Sequence, residues 1–105
     1  MTYDNRLKDG ATDALFEAIL LLRDVDECYR FFQDIATVSE LKALAQRLEV
    51  AKLLESDVTY LKIEELTGAS SATISRVKRS LDYGANGYTL ILERVKQSGD
   101  MGGTV

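Results

Sequence analysis

The chain has 105 residues, 46% hydrophobic and 29% charged, the composition of one ordinary globular domain and not of a disordered chain. With no His and one Cys, it has no imidazole general base, no internal disulfide and no thiolate metal cluster, so neither a metal nor a cofactor is expected. A net charge of −4, taken alone, argues against a nucleic-acid binder.

No apolar run approaches the ~20 residues that cross a bilayer. The start, Met1-Thr2-Tyr3-Asp4, is polar and does not read as a secretion signal, so the expected compartment is the cytoplasm. Pro is absent and Gly is concentrated after residue 67. The first two thirds are therefore rich in helix formers and poor in breakers.

Residues 13–22 predict the first helix. Leu15, Ala18, Ile19 and Leu22 hold the i, i+3, i+4, i+7 spacing of one face, and Phe16 and Leu20 add a second apolar stripe. A helix apolar on two sides is buried on two sides, and in so short a chain a second subunit is the expected cover. Asp24 or Asp26 caps a second helix carrying Cys28, Tyr29, Phe31, Phe32 and Ile35. Its aromatics are expected in the core and its thiol is expected to be packed and inert.

Thr37 or Ser39 opens a third helix, with Leu41, Leu44, Ala45, Leu48 and Ala51 at helical spacing and Leu53 and Leu54 closing it. This segment is the expected spine of the fold, ended by Ser56-Asp57. Thr59 caps a short helix from Tyr60 to Leu66, and Thr67-Gly68-Ala69-Ser70 is a turn. Ser70 or Ser71 caps the next helix, to about Tyr83. A second turn, Gly84-Ala85-Asn86-Gly87, leads to a last short helix with Tyr88, Leu90, Ile91, Leu92 and Val95. Residues 1–97 are expected to form a single all-helical domain, and 98–105 a disordered tail.

The stretch from about 59 to 83 has the layout of a helix-turn-helix. Ile63 and Leu66 supply one apolar side of the joint, and Ala69, Ile74, Val77 and Leu81 the other. The opposite face carries Ser71, Ala72, Thr73, Ser75 and Arg76, then Lys78 and Arg79. Hydroxyl and methyl groups at such positions suit base edges, and basic side chains suit phosphates. The helix start at Ser70 and Ser71 suits a phosphate as well. Residues 69–81 hold Arg76, Lys78 and Arg79 and no acid, a local charge of +3 on a remainder of −7. The expected DNA-binding residues are Ser70, Ser71, Ala72, Thr73, Ser75, Lys78 and Arg79, with double-stranded DNA as partner. The competing reading is a helical protein–protein interaction domain without DNA binding. An enzyme is not expected, because neither a phosphate loop nor a paired carboxylate in an apolar setting is visible.

Gly68-Ala69 followed by Ala72-Thr73-Ile74-Ser75-Arg76, with Ser80-Leu81 beyond and Ala43-Leu44 and Arg47 in the long helix, resembles the tryptophan-repressor superfamily. The match runs over residues 37 to about 92, and the whole chain resembles the YerC/YecD branch. The resemblance implies a six-helix, intertwined homodimer that regulates transcription, expected as a repressor. It also implies an effector pocket with Arg47 and Arg76 about the ligand, Thr37 at its carboxylate and Ser80 beyond. The tryptophan-binding members have Gly where this chain has Val77, so a small effector is compatible with the pocket but tryptophan is disfavoured. A structural role for the two arginines, paired with acids such as Glu40 or Glu49, is the alternative. The generic helix-turn-helix pattern has a small residue four before the turn Gly and an apolar one directly before it; here Glu64 and Thr67 stand there.

Overall fold

The computed structural model describes residues 5–99. After a 3-10 turn at Asn5–Leu7 come six helices: α1 Gly10–Ile19, α2 Val25–Ile35, α3 Val38–Glu55, α4 Tyr60–Thr67, α5 Ser71–Tyr83 and α6 Gly87–Gln97. No strand occurs among the described residues. The fold is all-α, as expected. It divides into two compact units, one running to Ala43 and the other starting at Leu44, with α3 contributing to both.

Local hydrogen bonds set the helix starts. Asp9 caps α1 by accepting from the Thr12 N–H at 2.7 Å, so the helix starts at Gly10, three residues before the periodic segment. The helix ends at Ile19, not at Leu22, as the Leu21 N–H turns to the Ala18 carbonyl and the Leu22 N–H to that of Ile19. Asp24 caps α2, accepting from the Glu27 N–H at 2.8 Å, while Asp26 pairs with Arg30. Thr37 caps α3 in a reciprocal box. The Glu40 N–H donates to Thr37 Oγ1 at 3.1 Å, and the Thr37 N–H donates to Glu40 Oε1 at 2.8 Å. The backbone N–H of Thr37 holds the Glu40 carboxyl below its usual pKa, and that of Thr12 does the same for Asp9.

The first unit has no buried residue among those described. Phe16, Leu20, Leu21, Val25 and Tyr29 are all exposed, Leu20 to 82%. Phe31 and Phe32 meet edge to face with centroids 5.5 Å apart and are half-buried. Cys28, expected to be packed, is also only half-buried.

The second unit has a true core. Val50 and Ala51 of α3, Ile63 of α4, Ala69 of the turn, Ile74 and Val77 of α5 and Leu92 of α6 form one buried cluster, with Leu53, Leu54, Val58, Leu81 and Tyr88 packed on it. α3 supplies Val50, Ala51, Leu53 and Leu54 to this core, as a spine would, and the expected stripe is corrected at Leu44 and Leu48. Of its periodic stripe only Ala51 is buried, and Leu44 and Leu48 stay exposed. Leu66 is likewise corrected: it is 58% exposed and does not close the joint between α4 and α5.

Ser98 caps the C-terminal end of α6, its Oγ donating to the Val95 carbonyl at 2.7 Å. The rest of the expected tail, residues 100–105, lies outside the described residues.

Gly84 closes α5, with its N–H on the Ser80 carbonyl at 2.9 Å. A Cβ there would sit 2.5 Å from that same backbone oxygen, whereas a Cβ on Gly87 would meet nothing within 4 Å. Gly84→Ala is expected to cost ~1–3 kcal/mol, the range for overpacking against atoms that do not yield. Gly87→Ala is expected to be neutral or to gain about 0.4–1 kcal/mol from the less flexible unfolded chain. Urea denaturation of both variants beside the parent checks the pair.

Candidate nucleic-acid interface

Two capped helices and a glycine turn make the helix-turn-helix. Thr59 Oγ1 accepts from the Lys62 N–H at 3.3 Å and starts α4. Gly68 ends it in the left-handed region at φ 74°, with its N–H on the Glu64 carbonyl at 2.9 Å. That conformation is costly for a residue with a Cβ. Ser70 starts α5 by accepting from the Thr73 N–H at 3.1 Å, and its hydroxyl donates to Thr73 Oγ1 at 3.1 Å.

Thr67, the apparent exception to the motif, holds the turn together. Its hydroxyl donates to the Ile63 carbonyl at 2.7 Å and accepts from the Ala69 N–H at 3.1 Å. Its carbonyl accepts from Gln46 Nε2 of α3 at 3.1 Å. The position before Gly68 therefore acts by hydrogen bonding where an apolar side chain would act by packing. Sequence periodicity carries no signal for this, because the Gln46 partner is 21 residues away.

α5 has two distinct sides. Ile74 and Val77 are buried, and Leu81 packs on the same core. Ser70, Ser71, Ala72, Ser75, Arg76, Lys78 and Arg79 are exposed. Thr73 is half-buried, with its hydroxyl engaged by Ser70. There is no acid in the first turn of α5, so the positive end of its dipole is uncompensated. Lys78 Nζ lies 3.5 Å from Asp82 Oδ1 one turn on, whereas Arg79 makes no ion pair among the described residues.

Beside the exposed side of α5 lies a cavity of about 290 Å³ lined by Arg47, Thr73, Arg76, Val77, Ser80 and Tyr88. Neither arginine pairs with an acid among the described residues. The acids named for that structural role are engaged elsewhere, Glu40 by Thr37 and Glu49 by Lys52. Two unpaired guanidiniums, two hydroxyls and a phenol give the cavity an anion-binding character. Val77 is both a wall of this cavity and a core residue, only 3% exposed. Tyr88 was read from sequence only as a residue of the last helix; nothing in local spacing brings α6 to α5.

The model of the Trp repressor protein family matches residues 11–96. The chain belongs to the Trp repressor family. It is 54% identical over 94 residues to the uncharacterized protein YerC of Bacillus subtilis (strain 168), covering 90% of each. A TrpR-like protein from Eubacterium eligens ATCC 27750, solved by crystallography, superposes with a TM-score of 0.86 at 55% identity, over 89% of this chain and 96% of that one. A crystal structure from Staphylococcus aureus gives 0.85 at 52% identity, over 88% and 92%. In this member of the Trp repressor family Arg47, Arg76, Val77 and Ser80 line one cavity. Thr37 belongs to the other unit, where its hydroxyl caps α3.

Proposed function

We propose that this chain is a sequence-specific DNA-binding transcriptional regulator, a repressor, that works as a homodimer and reads the major groove with α5. The observation that carries the reading is the two-sidedness of α5. Ile74 and Val77 anchor it, while Ser71, Ala72, Ser75, Arg76, Lys78 and Arg79 stand exposed with no acid among them. Small polar groups come first along the helix and basic groups follow, an order that suits base edges and then phosphates. A helical interaction domain without DNA binding leaves the acid-free run 69–81 of a −4 protein unexplained.

The homodimer reading rests on burial. The first unit has no buried residue among those described, and Leu44 and Leu48 of α3 are exposed as well. Apolar surface of this kind needs a cover, and a second copy is the partner that the family offers. The cavity between Arg47 and Arg76 suits a small anionic effector. Free tryptophan is not that effector, because Val77 stands where tryptophan-binding relatives have no side chain.

Light scattering at micromolar concentration is expected to give twice the chain mass, and the unfolding midpoint is expected to rise with protein concentration. A monomer there would sink the dimer. Selection from a random duplex pool is expected to return a two-fold symmetric site. Arg79→Ala is expected to weaken all sequences alike and reduce the salt slope by about one unit, and Ser75→Ala to change base preference. No retention of any duplex at low salt, with or without candidate effectors, would refute the DNA reading. Calorimetry with tryptophan is expected to show no micromolar binding to the parent protein, since overpacking an indole slot by ~1–3 kcal/mol removes roughly ten- to a hundredfold in affinity.

A further inference from the structure

Asp82 breaks a local rule without a visible structural return. It stands one residue before the end of α5 at Tyr83, where a carboxylate opposes the helix dipole. It belongs to no core contact and caps nothing; its recorded partner is Lys78, at 3.5 Å, with both side chains about half exposed. At 1.5 Å rise per residue, Lys78 and Asp82 lie about 10 and 16 Å along the axis from Ser71. The major groove is about 12 Å wide. With the start of α5 inserted into the groove, as the DNA-binding reading has it, the pair would stand near the groove's rim, closer to the phosphate backbone than Ser71, Ala72 and Ser75.

We propose that Asp82 is a specificity-determining residue, holding the Lys78 ammonium back from phosphate and so suppressing non-specific DNA binding. The inference rests on the DNA-binding reading above. The Asp82 carboxylate competes with phosphate for the Lys78 ammonium and repels any phosphate brought close to it. The penalty lowers specificity-neutral affinity wherever Lys78 meets a phosphate, and it favours the specific complex to the extent that a non-specific complex, with its register free to slide, depends more on that contact. A specific complex draws part of its affinity from base edges read by the first turns of α5, which Asp82 does not touch. Arg79, with no such partner, supplies phosphate affinity that is not restrained in this way. The abundance of competing non-specific sites makes such restraint functionally useful.

The test compares the parent protein, Asp82→Asn, Lys78→Ala and the double variant, each titrated with its selected duplex and with a random duplex over about 50–200 mM salt. Asp82→Asn is expected to raise random-duplex affinity, with the salt slope steeper by about one unit. Its advantage then shrinks about fourfold across that salt range. Affinity for the selected duplex is expected to rise less, so the ratio of the two falls. In the Lys78→Ala background the gain is expected to be largely lost. Thermal unfolding of Asp82→Asn is expected at or slightly above the parent's midpoint, which separates the effect from damage to the fold. An unchanged random-duplex affinity, an equal rise on both duplexes, or a gain undiminished without Lys78 would overturn the proposal while leaving the DNA reading standing. If the parent binds neither duplex, the DNA reading falls and this proposal with it.

Discussion

The burial of Ile63, Ile74 and Val77 in one cluster with Val50, Ala51 and Leu92 fixes the direction of α5. Ile63 comes from the helix before the turn, Ile74 and Val77 from the helix after it, and Val50 and Ala51 from the helix on which both rest. With one side of α5 committed to that cluster, helical geometry directs the hydroxyl and basic residues outward. The exposed face is thus a by-product of the core. Val77 is shared between the cluster and the cavity wall, so cavity shape is also set by core packing.

The elements that sequence revealed are those written in short-range chemistry. Asp24, Thr37, Thr59 and Ser70 are caps whose acceptor and donor lie three residues apart, and Gly68 is required by a single φ angle. The two-sided pattern of α5 was equally plain, because Ile74 and Val77 punctuate a polar run. What was hidden depends on distant partners. Thr67 looked anomalous until Gln46 supplied its contact from α3. The leucine stripe of α3 misled because periodicity identifies an apolar face without saying what covers it; the chain's own core takes Val50 and Ala51, and Leu44 and Leu48 remain outside. Leu66 misled in the same way. The position of Tyr88 against Arg47 and Arg76 depends on three helices at once, which no window of sequence contains.

The two units differ in how they can hold their shape. From Leu44 onward a buried cluster links four helices and a turn. Before it, α1 and α2 have capping hydrogen bonds, surface ion pairs such as Asp26–Arg30 and only half-buried apolar residues such as Phe31 and Phe32, and the ion pairs contribute little. Isolated helices of 10 and 11 residues are marginal in water. The order of the first unit therefore depends on packing that its described residues do not supply among themselves.

Gln46 and Arg47 are consecutive residues of α3, one tied to the carbonyl of Thr67 and the other lining the cavity beside α5. A helix turns as a rigid rod over so short a span. Any rotation of α3 about its axis must displace the cavity wall and pull on the turn in the same movement. The cavity wall and the turn before α5 thus share one support, two neighbouring residues of a single helix.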